Sequence, residues 1–176
     1  MLEGNPITIQ GFEIPSDSPL FITILSIHVL AALTCVVAGV VAMLSTKQPG
    51  THPKAGTTYY IFIWVVFITA TLMAIFRWKE DYHLFILGSI SFSSAFIGRR
   101  ARKYQWKKWS ITHISGMGLS YIFLLIAFYV DNGRFLPIWK NLNPVFYWLL
   151  PPLIGVPIII RTLLRHPLSR HHFIRN

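Results

Sequence analysis

Apolar and polar residues follow one another in long blocks along this chain, not in alternation. Five apolar runs, about residues 20–45, 59–76, 82–98, 110–130 and 145–164, are divided by short segments rich in Gly, Pro and charge. At about 1.5 Å rise per residue, helical runs of this length approach or exceed a bilayer core of roughly 30 Å. The first, FITILSIHVLAALTCVVAGVVAMLS from Phe21 to Ser45, holds 25 residues without a charge. The pattern predicts an all-α, polytopic membrane helical bundle of five transmembrane helices, with no β-sheet and no internal repeat. It divides the chain into a lead at 1–20, one five-helix domain at 21–165 and a basic tail at 166–176.

The connections are specific about where helices stop. TKQPGTHPKAGTT reads as a loop, so helix two begins at Tyr59 and runs to Phe76. RWKED reads as a tight turn before helix three, Tyr82 to Gly98, which is rich in small polar residues at Gly88, Ser89, Ser91, Ser93 and Ser94. RRARKYQWKKW precedes helix four, Ser110 to Val130, and DNGRFLPIWKNLNP leads into helix five, Val145 to Leu164. Pro151, Pro152 and Pro157 remove donors inside helix five and predict a kink or an irregular start. In helix one, Ala32, Cys35, Gly39 and Ala42 recur at three- and four-residue steps, a small-residue seam expected to face another helix.

Composition agrees with the pattern. The chain is 53% hydrophobic and only 12% charged, where a soluble domain carries about 25% charge. The net charge of +10 would suggest nucleic acid if the cations were not confined to segments between apolar runs. With the N-terminus outside, 12 of the 16 basic residues fall on the cytoplasmic side: Lys47, Lys54, Arg99, Arg100, Arg102, Lys103, Lys107, Lys108, Arg161, Arg165, Arg170 and Arg175. All six acids, Glu3, Glu13, Asp17, Glu80, Asp81 and Asp131, fall outside. The bias predicts N-out and C-in. Trp and Tyr residues cluster at the run ends, as an interfacial belt requires. The lead has no Lys or Arg, so no secretory signal is expected there. The basic stretch 99–109 mixes cations with aromatics, and its setting predicts contact with anionic lipid headgroups, not nucleic acid. A membrane-protein partner or a second copy is the other contact expected.

No acid lies within a predicted span, which removes carboxylate proton relays and paired-carboxylate chemistry from the membrane interior. HExxH, a phosphate-binding glycine loop and CxxC are all missing from the sequence. Histidines remain. His28 sits in the outer half of helix one, His113 in the inner third of helix four, His52 in the first inner loop and His83 at the outer edge of helix three. His166, His171 and His172 belong to the tail. Neutral imidazole tolerates a membrane and binds haem iron or a transition metal. His28, His52, His83 and His113 are therefore the candidate cofactor-binding residues, paired by height as His28 with His83 and His52 with His113. Two such pairs resemble a two-haem transmembrane cytochrome b. Depth argues against it, since His28 lies about 10 Å below the outer edge and His83 only a residue or two inside.

His52-Pro-Lys-Ala-Gly56-Thr-Thr-Tyr59 opens helix two after a helix bearing His28 and Gly39. This HxxxGxxY pattern, with His113-Ile-Ser-Gly116-Met-Gly118-Leu-Ser-Tyr121, FYVDNG and LPIW beyond it, resembles a bacterial family of multi-span membrane proteins with a domain of unknown function. The resemblance covers most of residues 21–165 and implies a bacterial inner-membrane protein, without an activity. It singles out His28, His52, Gly56, Tyr59 and His113; from the residues themselves, Gly56 frees a loop backbone and Tyr59 anchors at the interface. Three functions stay open: electron transfer through haem b or a transition metal held by histidines, a non-catalytic partner or assembly factor, and a small transporter along Ser91, Ser94 and Gly98.

Overall fold

The structure, a computed structural model of the 176-residue chain, describes residues 6–9, 12–14 and 16–166. Its contacts group into two compact units, Met1–Ile86 and Leu87–Asn176. His171 and His172 lie outside the described residues.

The first unit opens with a small antiparallel hairpin. Strand β1 (Ile7–Ile9) pairs with β2 (Phe12–Ile14), Ile7 opposite Ile14 and Ile9 opposite Phe12. No strand is expected from the sequence, so this is a correction: ITI and FEI alternate around Gln10-Gly11, over too few residues to stand out beside the long apolar runs.

Helix α1 (Pro19–Leu44) starts with Pro in its first turn, where a missing N–H costs nothing. Its lipid-side hydroxyls are satisfied within the helix: Thr23 donates to the Pro19 carbonyl at 2.7 Å and Thr34 to that of Leu30 at 2.8 Å. This i−4 bonding lets a hydroxyl face hydrocarbon without an orphaned donor. At its end, Lys47 Nζ donates to the Ala42 and Met43 carbonyls at 2.8 and 2.9 Å, closing groups the helix cannot satisfy itself.

Helix α2 (Thr51–Phe76) begins eight residues before the expected Tyr59. Gly50, at φ 124°, makes the turn that only glycine adopts freely. Pro53 then falls in the first helical turn and stops nothing. His52 and Gly56, expected in a loop, are therefore helical, and a Cβ at Gly56 would meet no atom within 4 Å. Against α1, α2 buries Ala55, Tyr59, Ile63, Val66 and Thr69. Facing them, α1 buries Ala31, Cys35, Ala38 and Gly39. The expected seam thus lies inward at Cys35 and Gly39, with Ala32 and Ala42 half-buried.

Helix α3 (Trp78–Lys103) follows after Arg77 alone. RWKED is not a loop: Glu80 and Asp81 sit in the first turn of α3, where carboxylates suit the positive helix end. Asp81 also accepts from Arg77 at 3.4 Å. At the other end, Arg100, Arg102 and Lys103 stay helical.

In the second unit, α3 packs on α4 (Trp109–Asn132) through small residues. A Cβ on Gly116 would stand 2.7 Å from the Ser94 carbonyl oxygen and 2.9 Å from Gly98 Cα. Ser91 Oγ, buried, donates to the Ser120 carbonyl at 2.7 Å. Helix α5 (Val145–Arg165) runs through Pro151, Pro152 and Pro157 as one α-helix. It locks to α4 reciprocally: Ile159 fills the space over Gly118, and Ile122 fills the space over Gly155. Two 3-10 turns, Gly133–Phe135 and Trp139–Asn141, connect α4 to α5. The Tyr147 ring lies over Gly133, its hydroxyl donating to the Trp139 carbonyl at 3.0 Å. Trp139 stacks on Tyr129 at 4.0 Å between centroids.

Four helices, α1, α2, α4 and α5, are long and apolar enough to cross a membrane. The uncharged stretch of α3, Tyr82 to Gly98, has 17 residues, about 25 Å of helix, and dilutes its apolar side chains with serine. Large apolar side chains lie outward, Leu44 at 82% and Leu153 at 70% exposure among them, while Ser91 and Ser120 are buried at 2% and 0%. Polar inside and apolar outside is compatible with an integral, multi-pass membrane protein.

Candidate ligand sites at the membrane-embedded histidines

In the first unit, α1 and α2 run antiparallel, which carries His28 to Thr69. His28 Nδ1 and Thr69 Oγ1 are 2.9 Å apart. Thr69 Oγ1 also lies 2.7 Å from the Val65 carbonyl oxygen and 3.1 Å from that of Val66. With its one proton on either carbonyl, the Thr69 oxygen accepts from His28 Nδ1–H, the tautomer that leaves a neutral His28 its lone pair on Nε2.

His52 and His113 are held the same way. His52 Nδ1 is 2.8 Å from the Ala42 carbonyl oxygen, across the turn between α1 and α2. In the second unit, His113 Nδ1 is 3.0 Å from the Gly98 carbonyl oxygen on α3. A carbonyl only accepts, so both rings donate from Nδ1. Backbone or hydroxyl anchoring of Nδ1–H is the support that orients ligating histidines and fixes their tautomer.

Within the first unit His28 and His52 occupy distinct levels. His28 stands beside Thr69 and His52 beside Ala42; the 14 residue steps of α1 from His28 to Ala42 amount to about 21 Å, too far for one metal. His83 is less shallow than the sequence suggests. Phe67 on α2 stacks with Phe85 on α3 at 6.3 Å, and Thr69 and His83 each lie two residues from that pair toward the connecting turn. His28, Thr69 and His83 thus share one level, because helix follows helix with only Arg77 between. His83 is nonetheless about 200° around α3 from Phe85, and its ring lies edge-on to Tyr82 at 5.7 Å.

Among the described residues, no three His, Cys, Asp or Glu side chains gather to hold a metal ion. A structural zinc site needs three or four protein ligands. Haem supplies four nitrogens of its own and asks the protein for one or two axial groups. Separate, oriented histidines fit the second requirement, not the first. Cys35, fully buried, points its Sγ at the Tyr59 carbonyl oxygen, 3.7 Å away.

Sequence reasoning missed Thr69, Ser120 as the acceptor of Ser91, and the Gly98 carbonyl. Thr69 was findable: it lies as far from the end of its apolar run at Phe76 as His28 lies from the start of its own at Phe21. Comparison of the chain with protein-family models, curated proteins and solved structures gives no match.

Proposed function

We propose that the chain is an integral membrane protein of a bacterial inner membrane that presents His28, and independently His113, each as an axial ligand for a haem b in electron transfer. The observation carrying this reading is the 2.9 Å contact of His28 Nδ1 with Thr69 Oγ1, a hydroxyl with the Val65 carbonyl also in reach of its proton; with Nδ1–H donating to Thr69, Nε2 is the ligating atom. Thr69 orients the ring, the Gly98 carbonyl does so for His113, and the surrounding α1 and α2 side chains keep water out. Haem bound there would supply one-electron chemistry. Purified protein should show a Soret band, lost in His28→Ala with the helical spectrum intact and shifted in Thr69→Val. Protein lacking the band after haem-replete expression sinks the proposal.

A second reading, a non-catalytic partner or assembly factor, draws on the same bonds. His28–Thr69 joins α1 to α2, and His113–Gly98 joins α4 to α3; each satisfies a polar ring by packing alone. Under it, His28→Ala lowers stability and no cofactor is found.

For topology, we infer five spans, N-out and C-in. The support is α3's outward face, Ile86, Ile90 and Ile97, at 50%, 39% and 46% exposure, which favours lipid over water. Were α3 to lie outside the bilayer, 12 cations would again share one side, now with the N-terminus. Tyr104 and the C-terminus are cytoplasmic in both cases. A reporter at Gln48 decides: cytoplasmic for five spans, external for four.

A further inference from the structure

One end of the second unit gathers cations, and the unit's single acid lies far from them. Arg99, Arg100, Arg102 and Lys103 close α3, Lys107 and Lys108 precede α4, and Arg161 and Arg165 lie in the last turns of α5. Residues 87–176 contain a single acid, Asp131. It is 22 residues from Trp109 along α4, about 33 Å at helical rise. Trp109 stands at the centre of the cationic end. The Arg102 guanidinium lies over its face, Cζ 4.7 Å from the ring centroid. The His166 ring meets its edge at 6.4 Å and 82°. Among the described residues His166 Nδ1 is buried with no hydrogen-bond partner, although such groups ordinarily find one.

We propose that this end binds the phosphate of an anionic glycerophospholipid, seated on Trp109 between the Arg102 guanidinium and His166 Nδ1, with Lys108 adding charge. Guanidinium and phosphate pair well because the planar fork matches two phosphate oxygens. The helix α4 N-terminus, which has no side-chain cap, adds its positive end. A free phosphate shares this chemistry, but the flank favours a lipid. Ile160 and Leu164, at 50% and 58% exposure, lie one turn apart on one face of α5 and offer acyl chains an apolar wall. The site deepens the membrane reading and rests on this end lying at the cytoplasmic headgroup level.

The test is native mass spectrometry of the full-length protein released from detergent micelles, with phosphatidylglycerol or phosphatidylcholine added. A phosphatidylglycerol adduct should survive where phosphatidylcholine is stripped. It should fall about tenfold in Arg102→Gln and in His166→Phe, and persist in Arg134→Gln, which removes one charge from the far end of α4. If Arg102→Gln fails to fold by circular dichroism, His166→Phe decides alone. Adducts retained in the site variants, or equally lost in Arg134→Gln, overturn the proposal. Displacement by millimolar inorganic phosphate does so too, by identifying a free-anion site. Micelles have no sides, so orientation is tested separately: Tyr104→Cys in a Cys35→Ala background should resist an impermeant maleimide on intact cells. Labelling there refutes the cytoplasmic reading and leaves the lipid result standing.

Discussion

Gly116→Ala and Gly56→Ala make the same chemical change in two helices, and the structure gives them opposite signs. At Gly116 the new methyl would be 2.7 Å from the Ser94 carbonyl oxygen and about as close to Gly98 Cα and N, all of them backbone atoms. Ordinary contact begins near 3.4 Å, so α3 and α4 must part by about 0.7 Å at this crossing. That displacement stretches the Ser91–Ser120 bond from 2.7 Å and the His113–Gly98 bond from 3.0 Å to the limit of hydrogen bonding or beyond it. Overpacking costs about 1–3 kcal/mol, and two weakened interhelical bonds add roughly 0.6 kcal/mol each. Alanine's better helix propensity returns about 1 kcal/mol. Net destabilisation of about 1–3 kcal/mol follows, a fall in melting temperature of about 3–10 °C. At Gly56 no atom lies within 4 Å, only the propensity gain operates, and stability rises by up to about 1 kcal/mol. Thermal unfolding in mild detergent, followed by circular dichroism, measures both. A Gly116→Ala protein melting at or above wild type, or both variants moving together, refutes the reasoning.

Further outcomes follow from other contacts. Gly118→Ala drives a methyl to 2.6 Å from Ile159 Cδ1, a side-chain end that can shift, and after alanine's propensity gain should destabilise by no more than about 1–2 kcal/mol; Ile159→Ala in the same chain should recover part of that loss, giving non-additive melting temperatures. Cys35, at 0% exposure, should resist maleimide in the folded protein and react once sodium dodecyl sulfate opens α1 from α2; labelling at equal rates would show that the pair does not form. The Arg100 hydrogen bond to the Tyr104 hydroxyl, helped by the Lys103 and Arg100 charges, holds that phenol below its ordinary range. Spectrophotometric titration should find one tyrosine ionising early, and Arg100→Gln should return it upward.

Element type was more legible than element boundary. Helix α1 could be read almost to its ends because charge-free sequence is bounded by Pro19 and by Ser45. Helix α2 could not, because His52-Pro53 and Gly56 score as breakers, whereas Pro in a first turn removes no bond and Gly56 sits on an open face. Cation-rich Arg99 to Lys103 read as a loop, although Lys and Arg suit the negative end of a helix. The candidate site was half legible. Periodicity gave the inward seam at Cys35 and Gly39, and the lone polar ring in an uncharged span marked His28. The partners were not, since which carbonyl or hydroxyl meets each Nδ1 depends on helix register, and register emerges only from packing such as Phe67 against Phe85.

The face that α3 shows to α4, built from Ser91, Ala95 and Gly98, has a consequence during biosynthesis. On the five-span reading, this segment leaves the ribosome ahead of the residues that complete it. Alone in a translocation channel it offers 17 uncharged residues, several of them serines, between charged ends, and partitions into lipid poorly. Once α4 has emerged, the Ser120 carbonyl accepts the Ser91 hydroxyl hydrogen bond and Gly116 covers Gly98, so the two helices enter as a hairpin. A nascent chain truncated before Gly116 should leave α3 outside the bilayer, while one extended past Asn132 carries it in.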